Sequence, residues 1–397
     1  MIPYGKQSIN EDDVKAVEEV LKSDFITQGH SVPAFEKALS KICGVPHARV
    51  MNSATSALHL TCLAMGLGPG DTAWTSPVTF VASANCIRYC GAQVDFVDID
   101  PETFNLCPSR LAEKLAHHSK KGLPLPKVVI PVHMCGQPCD MPAIQKLAKQ
   151  YGFKVVEDAA HAIGATSSAH PVGSCEYSDA TVFSFHPIKI VTTGEGGAVL
   201  TRSRELAEKV ELLRSHGVTR DPDKMDREPD GSWYYQQVDL GFNFRMTDLQ
   251  AALGLSQLER LKSFIETRQK LADRYTRHLK ALPLKLPIVK TDSSSAWHLY
   301  VIRLKLDKIA LSHKDVFEQL REEGIGVNLH YIPVYQQPYY RQSGFQDFAL
   351  PEAEAYYQEA ITLPLFPSMT QQQQDEVIAT LSRILSRPEY SPEHKFE

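Results

Sequence analysis

Short apolar runs alternate with helical patterns through the first two hundred residues, and this alternation limits the possible folds more than any other feature. Each apolar run is short and bounded by Gly, Pro or small polar residues, as buried strands are. Strands that alternate with helices are typical of βα units around a largely parallel sheet. The sequence therefore predicts an α/β fold with core strands at residues 48–51, 127–132, 154–157, 181–185 and 198–201.

The start of the chain predicts two helices. Asn10 is a suitable N-cap for the first, and the helical spacing places Val14, Val17 and Leu21 on one face. The second helix begins after a proline and ends at Gly44, since glycine readily adopts the left-handed conformation that ends helices.

A change of pattern near residue 247 predicts a second domain. Thr247 and Gln250 form a capping box that opens a long helical stretch. We therefore divide the chain into a large domain (1–246), a connecting helix (247–282) and a small α+β domain (283–397). Within the small domain, strands are expected at 296–304 and 325–329, and helices at 314–323 and after Thr370, the last burying Val377, Leu381 and Ile384.

Composition excludes several classes of protein. Lys and Arg total 42 against 47 Asp and Glu, for a net charge of −5, and no basic tract could follow a nucleic-acid backbone. No apolar run approaches the roughly 20 residues of a membrane span, and the N-terminus lacks the apolar core of a signal peptide. We therefore expect a soluble, cytoplasmic protein with neither nucleic acid nor membrane as a partner.

The eight cysteines are expected to be reduced, because they lie mostly in apolar stretches of the first half. The tightest group is His133, Cys135 and Cys139. A structural zinc site needs four ligands and usually a second paired motif, which is absent, so no metal is predicted.

Familiar nucleotide and nucleophile motifs are absent. The glycines at 66–70 do not match G-x-G-x-x-G and follow a helix, so they are better explained as a helix stop, which disfavours a nicotinamide-dependent sugar oxidoreductase. Neither a P-loop nor a G-x-S-x-G elbow occurs.

The chemistry is instead indicated by Lys189, which follows a strand and precedes a glycine-rich turn at 194–197. Glycines let a bulky group approach the backbone, and a lysine made neutral by burial can form a Schiff base. Most lysines simply face solvent, so this feature alone is weak evidence.

Two other segments match the needs of pyridoxal phosphate. Asp158 ends an apolar strand, where a carboxylate could keep the pyridine nitrogen protonated; a helix N-cap is an equally good explanation of this residue alone. The small polar residues at 52–56 precede an apolar helix, whose N-terminus suits a phosphate, although an ordinary Ser/Thr cap is commoner. The three features together favour the cofactor.

These motifs resemble the DegT/DnrJ/EryC1 family of fold-type I, pyridoxal-phosphate-dependent sugar aminotransferases. The resemblance covers nearly the whole chain: residues 27–29 (TQG), 52–58, 77–80 (PVTF), 98–100 (DID), 131–133 with 136–138 (GQP), 157–161 (EDAAH), 184–197, 241–245 (GFNFR) and 330–333 (HYIP). It implies a large, mostly parallel sheet domain and a smaller C-terminal domain. It also weakens the zinc hypothesis, because 131–138 is ordinary strand and turn in relatives.

The resemblance implies roles for individual residues. Lys189 would carry the cofactor and shuttle protons, and its presence favours aminotransfer over the dehydratases in which histidine replaces it. Asp158 would pair with the pyridine nitrogen, Phe80 would stack on the ring, and His161 would lie near the ring oxygen. The phosphate would bind at Ser53, Ala54, Thr55 and Ser184.

The resemblance further implies a homodimer with shared active sites. Asn243 would reach the cofactor phosphate of the neighbouring subunit, and Arg245 would lie nearby, facing the donor carboxylate or the nucleotide diphosphate. Residues 221–232 form a charged loop, which we hypothesise to close over the substrate.

A finer similarity is to the aminotransferases of pseudaminic acid biosynthesis, through residues 2–7, 23–28, 74–77, 184–187, 233–235 and 326–333. It implies amination of C4 of UDP-2-acetamido-2,6-dideoxy-4-keto-hexose, with L-glutamate as donor, giving UDP-4-amino-4,6-dideoxy-N-acetyl-β-L-altrosamine, a precursor used in flagellin glycosylation. The sugar and nucleotide would be lined by Tyr4, Asp24, Phe25, Ile26, Thr27, His330, Tyr331, Ile332 and Pro333. Another nucleotide-linked keto-sugar, and a non-catalytic regulator on the same fold, remain alternatives.

Overall fold

The computed structural model describes residues 1–386. The helices are α1 (Glu11–Leu21), α2 (Ser31–Cys43), α3 (Ala54–Ala64), α4 (Ala82–Tyr89), α5 (Pro108–Lys121), α6 (Met141–Tyr151), α7 (Arg204–Arg214), α8 (Asp248–Glu259), α9 (Leu261–Leu279), α10 (His313–Glu322), α11 (Pro338–Tyr340), α12 (Pro351–Glu359) and α13 (Gln371–Leu385). The strands are β1 (His47–Met51), β2 (Thr72–Thr75), β3 (Gln93–Phe96), β4 (Val128–Ile130), β5 (Lys154–Asp158), β6 (Thr166–Ser167), β7 (His170–Pro171), β8 (Ala180–Ser184), β9 (Gly197–Thr201), β10 (Val218–Thr219), β11 (Gln236–Gln237), β12 (Leu284–Lys285), β13 (Ser293–Ser294), β14 (Tyr300–Leu304) and β15 (Ala360–Leu363).

A seven-stranded sheet forms the core, in the order β1-β9-β8-β5-β4-β2-β3. The five strands from β8 to β3 are parallel, and β9 runs antiparallel to both β8 and β1. The predicted α/β class and all five predicted core strands are confirmed. Strands β2 and β3 are not among the predicted strands, and each is only four residues long. Parallel strands β5 and β8 end at the same edge, which brings the residues that follow them together.

The predicted first helix is confirmed, but the face that carries Val14 and Leu21 is not its buried face. Asn10 and the N3 residue form a capping box, yet Val14 and Leu21 are exposed. Asp13 and Val20 are buried instead. The Asp13 carboxylate accepts hydrogen bonds from Ser256 Oγ (2.6 Å) and Gln257 Nε2 (2.7 Å), so a polar network rather than an apolar stripe turns this helix toward α8. Apolar periodicity alone cannot detect such a network.

The stretch after Thr247 consists of two helices rather than one. The capping box of Thr247 and Gln250 opens α8 as predicted, and Arg260 separates α8 from α9. The proposed division at residues 246 and 282 stays a prediction.

A three-stranded sheet, β12-β14-β15, lies in the C-terminal part of the chain. The predicted strand 296–304 is shortened to β14, and the predicted strand at 325–329 is wrong. That segment makes only isolated bridges, Ile2 with Ile325 and Asn328 with Thr362, while β15 pairs with β14. The final helix begins after Thr370 and buries Val377, Leu381 and Ile384, as predicted.

No helix among residues 1–386 is long and apolar enough to cross a membrane. All eight cysteines are free thiols, in agreement with the expected reduced state.

Candidate active site

Asp158 is the last residue of β5, and its buried carboxylate is held in a fixed position. Ser83 Oγ donates to one carboxylate oxygen (2.6 Å), and the N–H of Ala160 donates to the other (3.1 Å). Thr79 Oγ lies 2.7 Å from Ser83 Oγ and extends this network. The residue is therefore not a helix N-cap. It is a preorganised carboxylate at the C-terminal edge of the sheet, where open α/β sheets bind ligands.

Lys189 lies in the turn after β8, where its N–H donates to the carbonyl of His186 (2.9 Å). Burial lowers the pKa of the Lys189 amine to about 8, and the nearby Asp158 carboxylate opposes this shift. A lysine with such a pKa is partly neutral near pH 7, as a nucleophilic amine must be.

A group of rings from distant parts of the chain lies beside the lysine. The Tyr331 hydroxyl is 3.3 Å from His161 Nε2, and the Phe80 and Tyr331 ring centres are 6.3 Å apart. Tyr4 lies against His330, with ring centres 5.2 Å apart. Burial, reinforced by the Lys189 charge, lowers the pKa of His330 to about 3 and that of His161 well below its ordinary value. Both imidazoles are therefore neutral.

The predicted phosphate site is a helix N-terminus at the same edge. Ser53 caps α3 by accepting a hydrogen bond from the N–H of Ser56 (3.1 Å). The amides of Ala54 and Thr55 have no intrahelical acceptors, because they lie in the first turn of the helix. Ser184, at the end of β8, is opposite Gly197 in the β8–β9 pair. A Cβ at Gly197 would lie 2.5 Å from the Ala54 nitrogen, so only glycine permits this approach.

Within residues 1–386, the other predicted residues make no hydrogen bond or ring contact with the group of rings beside the lysine. Residues 24–27 form an exposed loop that joins the first turn of α8 through a hydrogen bond from the Asp248 N–H to the Ile26 carbonyl (3.0 Å). Asn243 is exposed. The backbone of Arg245 forms an isolated antiparallel β-bridge with Met51, beside the α3 N-terminus. Ile332 is 40% exposed, whereas Pro333 is buried. The N–H of Val334, the next residue, donates to the Pro77 carbonyl (2.9 Å).

Several residues that contact the site residues, or the segments next to them, were not predicted from the sequence. The buried His298 ring is 4.4 Å from the His161 ring, between centres. Arg268 donates from one terminal nitrogen to the carbonyls of Trp297, His298 and Leu365, at 3.1 to 3.2 Å. Ser83, which holds Asp158, was missed as well. None of these residues lies in a local motif, so no sequence signal marked them.

The hypothetical zinc ligands have structural roles. His133 Nε2 lies 2.7 Å from the Glu157 carboxylate, and His133 Nδ1 accepts a hydrogen bond from the N–H of Cys139 (3.2 Å). Both imidazole nitrogens are thus already bonded within the protein. Residues 1–386 contain no cluster of three or more His, Cys, Asp or Glu side chains with metal-binding geometry.

The site residues fit pyridoxal phosphate. Besides the lysine and the carboxylate, His161 Nδ1 is buried without a hydrogen-bond partner among the described residues, as expected of an atom that faces a bound polar group. Phe80, although next to this buried network, is 59% exposed, so its ring is free to cover another ring. The α3 N-terminus has the free backbone N–H groups that an anion site requires.

This sheet, with a lysine and a carboxylate at one edge, defines a fold-type I pyridoxal-phosphate enzyme of the aminotransferase class. The chain belongs to the DegT/DnrJ/EryC1/StrS aminotransferase family, whose model matches residues 7–382. The aminotransferases of this family depend on PLP, and this chain is a PLP-dependent sugar aminotransferase.

Several relatives resemble the chain over nearly its full length. It is 39% identical to the spore coat polysaccharide biosynthesis protein SpsC of Bacillus subtilis, over 97% of each chain. PseC of Helicobacter pylori, an aminotransferase of pseudaminic acid biosynthesis, superposes with a TM-score of 0.87 at 32% identity, covering 97% of this chain and 99% of PseC. A putative sugar aminotransferase of Streptococcus pneumoniae, solved in its PMP form, gives 0.87 at 30% identity, with coverage of 97% and 99%.

The lowered pKa of Lys189 predicts how cofactor capture depends on pH. Only the neutral amine attacks the aldehyde, so the capture rate of the cofactor-free protein should rise about tenfold between pH 7 and pH 9, with a midpoint near 8. Stopped-flow absorbance of the cofactor measures this rate. A midpoint above pH 10, as for an ordinary lysine, would contradict the desolvated environment.

Proposed function

We propose that this chain aminates C4 of UDP-2-acetamido-2,6-dideoxy-4-keto-hexose and produces UDP-4-amino-4,6-dideoxy-N-acetyl-β-L-altrosamine, the pseudaminic acid pathway step. L-Glutamate is the donor and leaves as 2-oxoglutarate. The observation that carries the proposal is the likeness to PseC, which spans 97% of this chain at 32% identity. The match also covers 99% of PseC, with a TM-score of 0.87, so it extends over nearly the full length of both chains.

Bound pyridoxal phosphate supplies an electron sink for the carbon attached to the transferred nitrogen. In the proposed assignment Lys189 Nζ would hold the cofactor; in its neutral form it would accept the substrate proton as a base, and once protonated it would return that proton as an acid. Asp158 would keep the pyridine nitrogen protonated, because a fixed carboxylate favours the protonated form. Phe80 would cover one face of the ring, and His161 would lie near the ring oxygen. The phosphate would bind at Ser53, Ala54, Thr55 and Ser184.

The sugar nucleotide is proposed to bind between residues 24–27 and residues 330–333, with Tyr4 beside His330. His330 is buried and neutral, and its ring nitrogens are bonded within the protein, Nδ1 to Thr362 Oγ1 (2.8 Å) and Nε2 to Asn328 Nδ2 (3.4 Å), so its proposed part is to orient the Tyr4 ring without placing a charge beside the sugar. The Tyr4 ring, packed 5.2 Å from His330, offers an apolar face to the sugar.

Two subunits are proposed to share each site, with Asn243 of one chain at the cofactor phosphate of the other. In support, the segment before Asn243 carries large exposed apolar side chains, a pattern typical of interaction surfaces: Trp233, Tyr235, Val238 and Leu240. Arg245 is proposed to pair with the donor carboxylate or the nucleotide diphosphate.

Shared sites predict complementation between two inactive variants. Lys189→Ala and Asn243→Ala should each lose most of their activity, whereas mixed dimers should regain one intact site. After unfolding and refolding together, an equal mixture should recover about a quarter of wild-type activity, since half of randomly paired dimers are mixed and carry one good site. Recovery no greater than the sum of the separate variants would contradict shared sites.

The substrate proposal is tested by incubating the purified enzyme with L-glutamate and the UDP-linked 4-keto sugar. NMR of the product should show a C4 amine with the altro configuration. A second candidate, another nucleotide-linked keto-sugar, is favoured by the 39% identity to SpsC, a protein of spore coat polysaccharide biosynthesis. Amination of a different keto-sugar in the same assay, with none of the proposed product, would support this alternative.

A non-catalytic regulator is a poorer explanation. Lys189 keeps its lowered pKa and Asp158 keeps both of its hydrogen-bond donors, and a protein that only binds partners needs neither.

A further inference from the structure

Asp248, the first residue of α8, is only 1% exposed, and its carboxylate binds a separate segment of backbone. One oxygen accepts a hydrogen bond from the N–H of Gly29 (2.7 Å). The other accepts from the N–H groups of Ser31 (2.7 Å) and Val32 (3.2 Å). A carboxylate bound by three N–H groups is a strong tether, because charge-assisted hydrogen bonds exceed neutral ones in strength.

The tethered segment follows directly on the exposed loop 24–28. The loop makes few other contacts: its carbonyl at Ile26 accepts from the Asp248 N–H (3.0 Å), and Phe25 bonds locally to Ser23. Close packing also requires Gly29, since a Cβ there would lie 2.9 Å from the Phe25 Cβ and 3.2 Å from the Asp248 carboxylate. The path of the loop is therefore determined largely by Asp248.

The same helical turn is bonded to the turn that follows the lysine. Gln250 Nε2 donates to the Glu195 carbonyl (2.8 Å), and Glu195 lies six residues after Lys189. One turn later, Gly254 lies so close to Thr193 that a Cβ would come within 2.8 Å of its methyl group. The start of α8 thus joins the exposed loop to the lysine turn.

We propose that Asp248 is a positioning residue for the sugar nucleotide. It holds residues 24–27 in a fixed position relative to the turn that follows Lys189, so that the loop can bind the substrate. This inference rests on the proposed function, which assigns residues 24–27 to the sugar pocket. The cofactor and the amino donor do not depend on this loop in the proposed assignment. Loss of the tether should therefore affect one half of the reaction only.

The test compares Asp248→Asn with Asp248→Glu and with a matched control, Asp13→Asn. Asparagine has nearly the same shape as aspartate, but its NH₂ group is a donor and cannot accept a hydrogen bond from the backbone N–H groups that it faces. Asp13 is also 1% exposed and also contacts α8, through Ser256 and Gln257, but it holds α1 rather than the loop. We expect Asp248→Asn to raise the KM for the UDP-keto-sugar at least tenfold and to leave the glutamate half-reaction within twofold. Asp248→Glu should recover part of the loss.

The control should lower Tm without a change in the KM for the sugar. If Asp248→Asn slowed the glutamate half-reaction as much as the sugar reaction, the residue would be merely structural and the inference would be overturned. An unchanged KM for the sugar would overturn it as well.

Amide hydrogen exchange tests the tether without any substrate. The N–H groups of Gly29, Ser31 and Val32 should exchange at least tenfold faster in Asp248→Asn than in Asp13→Asn. Unchanged exchange overturns the inference whichever sugar is used. If the wild type fails to aminate the UDP-keto-sugar, it is the proposed substrate that fails, and the exchange result alone then decides the role of Asp248.

Discussion

Lys189→Ala should abolish aminotransfer, with a fall in kcat of at least about 10³-fold, because no other amine can take over both covalent attachment and proton transfer. The visible absorption band of the lysine-linked cofactor should be absent, and glutamate should cause no spectral change. The fold should persist, since Lys189 lies in the turn between β8 and β9 and is not part of the sheet. Absorbance spectroscopy and a thermal melt measure the two properties separately.

Lys154→Ala provides the control for the lysine variant. Lys154 is an exposed lysine at the other end of β5, where it pairs with Asp179 (2.9 Å). The Lys154→Ala protein should bind the cofactor and keep the wild-type kcat. A Lys189→Ala protein that kept more than a tenth of wild-type activity would contradict the assignment of the lysine.

Asp158→Asn should reduce aminotransfer by about 10²- to 10³-fold, the loss typical when a preorganised charge is removed from an active site. The amide can still accept a hydrogen bond from Ser83, so the variant should fold and bind the cofactor. An uncharged amide cannot favour protonation of the pyridine nitrogen, so the proton-transfer step should become slow. Single-turnover spectroscopy with glutamate measures this step directly.

Glu157→Gln is a closely matched control, because Glu157 is the neighbouring residue on β5 and is also buried. Successive side chains on a strand point to opposite faces, and its carboxylate contacts His133 (2.7 Å) and Thr181 (3.0 Å) rather than the lysine. We expect this variant to lower Tm and to keep the rate of the glutamate half-reaction. Equal losses of rate in both variants would contradict a specific role for Asp158.

Much of the fold and part of the site could be predicted because their signals are local. The capping boxes at Asn10, Thr247 and Thr370 are formed within four residues, so helix starts were predicted accurately. Core strands were recognisable as apolar runs between turn residues. Lys189 and Asp158 could be proposed because each follows such a strand, and the family resemblance added the proposed roles of their neighbours.

Other features depended on contacts between residues far apart in the chain. Apolar spacing puts Val14 and Leu21 on one helix face, yet both are exposed, whereas Asp13 is buried through its bonds to α8. The segment 325–329 has the composition of a strand, but β15 occupies the place beside β14. Strand composition reports propensity, and tertiary packing decides which candidate pairs.

The sequence by itself determined the α/β class and the helix caps, and it marked the proposed lysine and carboxylate of the site, because each depends on a few adjacent residues. Only the tertiary structure decided that Ser83 holds Asp158, that His298 packs on His161, and that Asp248 tethers the loop before α2. These contacts join residues 75 to more than 200 positions apart. Hydrogen bonds and ring contacts at such separations exist only once the elements have packed, and no periodicity or local motif encodes them.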